Sequence, residues 1–115
     1  MQNVQLLIHG QSVNSSSAQT FERISPIDGT VASVASAATL KDVDQAIESA
    51  HRAFDIWSKL SPTERRLRLL KAADLMDQKT EQFIQIGMRE TGSTATWYGF
   101  NVHLAANMLR EAAAM

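Results

Sequence analysis

No cysteine occurs among the 115 residues. This one absence removes disulfides, thiolate zinc sites and a cysteine nucleophile together, and it suits the cytoplasmic location we expect, where disulfides are rare. An excess of charge is also missing. Eleven Lys and Arg face twelve Asp and Glu, for a net charge of −1. Nucleic acids and anionic membranes select basic surfaces, so neither is expected as a partner. Residues Met1 to Ile8 lack a basic leader followed by a long apolar run. The longest uncharged stretch, Thr91 to Leu109, includes Asn101, His103 and Asn107. A spanning helix needs about 20 mostly apolar residues, so no membrane span is expected.

Recognised chemical motifs are missing too. No Walker loop or GxGxxG is present to cradle phosphates, and no serine sits in a G-x-S-x-G elbow. His9, His51 and His103 stand far apart, without the i, i+4 partner or carboxylate cluster that a metal site requires. His51 belongs on the polar side of a helix and His9 in a turn. His103 reads as a core or pocket-edge histidine that could touch a substrate.

The residues that are present describe a globular chain, 44% apolar and 20% charged, long enough to bury roughly 65% of its unfolded surface. Val4 to Ile8 reads as a strand, and His9-Gly10-Gln11 as a tight turn with Gly10 at positive φ. Asn14 to Ser17 reads as a polar linker. Phe21 to Ile24 and Val31 to Ala35 are strands around the turn Ser25-Pro26-Ile27-Asp28-Gly29-Thr30. Two small β-hairpins, or a short antiparallel sheet, therefore occupy residues 1–38.

At Thr39 the period changes. Thr39-Leu40-Lys41-Asp42 resembles a capping box with Asp in place of Glu. Val43, Ala46, Ile47, Ala50, Ala53, Phe54 and Trp57 then recur at helical spacing. Ser61-Pro62-Thr63-Glu64 starts a second helix, with Leu67, Leu70, Ala73 and Met76 on its buried face and Glu64, Arg65, Arg68 and Asp77 on a solvated one. A third helix spans about Thr80 to Glu90 and closes at Gly92. The last, from about Thr96 to Met115, carries two apolar stripes: Tyr98, Val102, Ala105, Leu109 and Ala112, and separately Trp97, Phe100, Leu104 and Met108. A helix apolar on most sides must be covered on most sides, and no Gly, Asn or Pro stop signal follows it. The expectation is an α+β piece of a larger protein, divided at 1–38 and 39–115, with a tendency to self-associate when alone.

The order of segments resembles one family. Ile8-His9-Gly10 is followed by Phe21-x-x-x-Ser25-Pro26-x-x-Gly29, and then by Asp42-Val43-Asp44-x-Ala46-Ile47 continuing to Ala53-Phe54-x-x-Trp57-Ser58. Leu60-Ser61-Pro62-x-Glu64-Arg65, Ala72-Ala73-Asp74-Leu75-Met76 and Glu90-Thr91-Gly92 complete the series. Together they resemble the N-terminal portion of the aldehyde dehydrogenase superfamily. Phe100-Asn101-Val102-His103-Leu104-Ala105-Ala106 and Leu109-Arg110-Glu111-Ala112-Ala113 are most similar to its salicylaldehyde and aromatic-aldehyde branch.

The resemblance implies an NAD- or NADP-dependent enzyme oxidising an aromatic aldehyde to the acid, several times longer than this chain and homo-oligomeric. Residues 1–115 would open its Rossmann-like cofactor-binding domain. The family's Cys nucleophile, water-activating Glu and dinucleotide loops are not in this sequence, so the isolated chain is expected to bind no cofactor and to be inactive. The resemblance also implies that Leu104 lines the substrate tunnel, with Met108 and Trp97 as neighbours; plain core packing is the rival reading for each. It further implies that Glu90 supplies an acid to a monovalent cation, together with a carbonyl near Arg23–Ile24. The rival for the chain as a whole is a self-contained helical interaction module that docks a partner through residues 96–115.

Overall fold

A computed structural model describes residues 2–115, which divide into two compact units, one ending at Lys59 and one running from Leu60 to Met115. In the first unit the chain changes partners early. β1 (Gln2–Val4) pairs in parallel with β5 (Val31–Ser36), and β5 pairs antiparallel with β4 (Thr20–Ile24), giving a mixed sheet ordered β1-β5-β4. β2 (Leu6–Ile8) and β3 (Gln11–Val13) form a separate hairpin. The single strand expected over Val4–Ile8 is thus two strands that break at Gln5, each satisfying its backbone in a different sheet. His9 and Gly10 both take positive φ, 54° and 71°, as a two-residue hairpin turn of the primed type requires.

Helix α1 (Leu40–Trp57) begins at the expected box: the Thr39 hydroxyl accepts from the Asp42 amide, and the Asp42 carboxylate accepts from the Thr39 amide at 2.8 Å. Its apolar positions have the predicted spacing, but they do not form this unit's interior. Val43, Ile47 and Trp57 are exposed, and Phe54 is 61% exposed, whereas the buried residues of α1 are Asp42 and Ser49. Asp42 is buried because Ser15 to Ser17 wrap over it. The segment read as a polar linker is a fixed hydroxyl cluster, with the Ser16 amide and the Ser15 hydroxyl both donating to the Asp42 carboxylate, at 3.1 and 3.2 Å.

The second unit is an assembly of three helices, α2 (Pro62–Gln78), α3 (Thr80–Thr91) and α4 (Ala95–Ala114). Ser61 and Glu64 form the expected capping box at α2, with Pro62 in the first turn. Gly92 ends α3 at φ 73°, and Thr94, two residues before the expected start, caps α4 by accepting from the Trp97 amide. α4 packs along both α2 and α3. Its enclosed face is Val102, Ala106 and Ala113, with Tyr98, Ala105 and Leu109 half-buried beside them. Leu67 is 60% exposed and does not belong to the buried face of α2, which centres instead on Ala73 with Leu70 and Met76 half-buried. Asp77 is half-buried and leaves the solvated face because Arg110 draws it against α4. Among the described residues no helix is long and apolar enough to cross a membrane.

Candidate functional site

α4 separates its two stripes cleanly. With Val102, Ala106 and Ala113 turned inward, Trp97, Phe100, Leu104 and Met108 are left on its outer surface, at 57%, 60%, 42% and 63% exposure. Trp97 and Phe100 lie one turn apart with ring centroids 6.4 Å apart and planes tilted by 34°. Leu104 and Met108 continue the same face two and three turns on, spacing that α-helical geometry places in one line. The expected residues Leu104, Met108 and Trp97 are therefore brought together. They form an apolar strip about three turns long with an aromatic end.

The polar rim of this strip was not read from the sequence. His103 is exposed and is not a core residue; its Nδ1 lies 3.2 Å from an Asp77 carboxylate oxygen. The other Asp77 oxygen accepts from Arg110 at 2.6 Å, and Arg110 also donates to Asp74 at 2.9 Å and to Asn107 at 3.3 Å. The Arg110 guanidinium, and more weakly the nearby His103, hold the Asp77 carboxyl below its ordinary range. Asp77 and Asp74 in turn push the Arg110 value up. The cluster fixes the C-terminal half of α4 against α2. Its sequence signal is the i, i+3 acid pair on α2, which seeks a cation on a neighbouring helix.

A dinucleotide cradle is built on backbone amides that face the phosphates. Such a site needs free amides at a helix N-terminus that follows a strand. At the strand-to-helix junction of the first unit, from β5 into α1, the Asp42 amide is taken by the Thr39 hydroxyl. The Thr39 and Ser16 amides already donate to Asp42, whose pKa falls to about 2, chiefly because of the Thr39 amide. Gly10 and Gly29 serve turns at positive φ and Gly92 serves a helix end. Beside α1, Leu6, Leu7, Ile8, Ala38, Val43 and Ala46 line an apolar recess of about 150 Å³, whose only charged group, Asp42, has its oxygens committed. Glu90 lies half-buried in the last turn of α3. Among the described residues no group of three or more His, Asp or Glu side chains converges on a metal position.

Residues 13–115 match the sequence model of the aldehyde dehydrogenase family, and the chain belongs to that family. Within it, a vanillin dehydrogenase of Pseudomonas fluorescens is 52% identical over all 115 residues, which cover 24% of that protein. A salicylaldehyde dehydrogenase from Pseudomonas putida G7, solved as its complex with salicylaldehyde, superposes with a TM-score of 0.97 at 42% identity, over 99% of this chain and 24% of the other. An NAD-dependent benzaldehyde dehydrogenase from Corynebacterium glutamicum gives 0.91 at 31% identity, over 96% and 24%. The chain thus spans about a quarter of the length of these relatives. The matches do not favour the rival expectation of a self-contained interaction module.

Proposed function

We propose that these residues form the N-terminal part of an NAD(P)-dependent aldehyde dehydrogenase acting on aromatic aldehydes, and that α4 supplies one wall of the passage along which the aldehyde reaches the reacting groups. The observation that carries this reading is the outward strip of Trp97, Leu104 and Met108, in a chain similar to enzymes named for vanillin, salicylaldehyde and benzaldehyde. Apolar and aromatic side chains with few polar groups are what a flat, weakly polar ring needs from a pocket wall. This chain contributes no cysteine nucleophile. Its part is to orient the ring and keep water off the strip. Residues 1–38 and 39–115 are assigned to one cofactor-binding domain of a cytoplasmic homo-oligomer, by family resemblance. On the same ground Glu90 is assigned as one carboxylate ligand of a monovalent cation, completed by carbonyl oxygens that suit a hard ion.

The test is steady-state NADH formation by the enzyme that contains this segment, with vanillin, salicylaldehyde, benzaldehyde and acetaldehyde as substrates. The aromatic aldehydes should be preferred. Leu104→Ala should lower kcat/KM for them by about tenfold relative to acetaldehyde, the scale of a few lost methylene contacts. An unchanged ratio would remove Leu104 from the passage.

A further inference from the structure

Two side chains and one bare backbone position hold the start of α4 against the end of α3. Gly87 is buried in α3, and a Cβ built on it would overlap the ring of Tyr98. The Tyr98 hydroxyl lies 2.9 Å from the Thr91 hydroxyl, which itself donates to the Gly87 carbonyl at 3.0 Å. Since Thr91 has a single proton and gives it to that carbonyl, the Tyr98 O–H donates to Thr91. The ring is thus seated on a bare backbone position and pinned at its far end. Only Gly92, Ser93 and Thr94 separate the two helices, so the connection is too short to let α4 turn independently.

This arrangement fixes a rotation. At about 100° per residue, Trp97, Leu104 and Met108 fall within about 40° of one another, roughly 100° around the helix from Tyr98. Wherever the Tyr98 ring is held, the three outward residues are aimed together. The C-terminal half of α4 has its own anchor in Arg110 and the two α2 carboxylates. The N-terminal half, with Trp97 and Leu104, has Tyr98.

We propose that Gly87, Thr91 and Tyr98 are positioning residues for the aldehyde passage: glycine admits the ring, threonine fixes its tip, and the pair sets the angle at which Trp97 and Leu104 face the substrate. The proposal rests on reading that strip as the passage wall, and it adds a specificity role to residues that do not themselves line it.

The experiment compares kcat and KM for vanillin and acetaldehyde in the enzyme containing this segment. Tyr98→Phe and Thr91→Val, which keep the side-chain bulk and remove the hydroxyl link, should lower the vanillin-to-acetaldehyde ratio of kcat/KM by about two- to fivefold, through KM for vanillin. Gly87→Ala should lower it by about tenfold or more, as wall displacements approaching an ångström do. In a Tyr98→Leu background, Gly87→Ala should cost less than about twofold, because its effect passes through the ring. Equal losses for both aldehydes, or an undiminished Gly87→Ala effect without the ring, would overturn the proposal. If Gly87→Ala does not fold, the two hydroxyl variants decide alone, and unchanged ratios in both overturn it. Leu104→Ala separates the two failures. A changed ratio there with unchanged ratios in the positioning variants sinks only the positioning role, whereas an unchanged ratio for Leu104→Ala sinks the wall itself and the proposal with it.

Discussion

In residues 2–59 the most enclosed positions are Ser15, Ser25, Ser33, Asp42 and Ser49, with Ala32 the buried apolar one; in residues 60–115 they are Ala73, Gly87, Val102, Ala106 and Ala113. The serines are divided unevenly between them, nine in the first unit against two in the second, and the two units close by different physics. The first closes around a carboxylate whose oxygens take up backbone amides and hydroxyls, a bonding pattern that demands fixed geometry and tolerates little sliding. The second closes by bringing helix backbones near one another over small side chains, with Gly87 making room for the ring of Tyr98. Polar closure pins a loop to a helix end. Small-residue closure instead leaves the opposite face of α4 free to carry Trp97, Leu104 and Met108.

The largest effect should come from disturbing the small-residue contact. Ala106 is wholly enclosed, so Ala106→Leu inserts a branched side chain where α4 meets its neighbours. Overpacking of this kind costs about 1–3 kcal/mol, and for a unit of this size each kcal/mol shifts the melting midpoint by about 4–8 °C. Calorimetry of the chain should show that loss. A midpoint within a degree or two of the parent would mean that the helices are not closely packed there.

A smaller change, several degrees in midpoint, is expected from Asp42→Asn at neutral pH, and its pH dependence distinguishes the two kinds of closure. An amide in place of the carboxylate turns one acceptor into a donor that faces the Thr39 and Ser16 amides. The Asp42 carboxyl is lowered in the folded state from an ordinary 3.8 to about 2. A depressed acid contributes its stability above the unfolded value and loses it as pH falls through the folded one. The gap between parent and variant should therefore be full above about pH 4, shrink between 4 and 2, and vanish below. Melting curves at successive pH values measure it, and a gap that stays constant would show that the carboxylate charge is not what holds Ser15 to Ser17 over the helix.

The contrast also explains what could be read in advance. Capping boxes at Thr39 and Ser61, the αL stop at Gly92 and the 3.6-residue periods are local, and each helix lies where its signals put it. The two stripes of α4 follow from the same period, so the exposed strip was legible down to Leu104, Met108 and Trp97. Non-local pairings escaped. The break at Gln5 depends on β5 reaching β1, some 30 residues away in sequence. Asp77 reads as solvated until Arg110 is known to approach it, and Ser15 to Ser17 read as a linker until Asp42 is. Gly87 gives no sequence signal beyond being a helical glycine, because its reason is the Tyr98 ring arriving from another helix.

The smallest change in stability is expected where periodicity was strongest. The stripe on α1 has the spacing of a core face, yet Ile47 and Phe54 are 63% and 61% exposed in the chain. Replacing both with Lys removes few buried contacts, so the chain should lose less than about 0.5 kcal/mol at each site, as surface positions do. Association should respond far more. An exposed apolar stripe of several large side chains is a self-association surface, and sedimentation of the parent chain should show mass rising with concentration. The Ile47→Lys, Phe54→Lys variant should flatten that rise. Loss of more than about 1 kcal/mol per site would mean that the stripe is covered within the chain and that the first unit does have an apolar interior. An unchanged mass profile would move the association to the strip on α4, where Leu104→Lys and Met108→Lys would then have to abolish it.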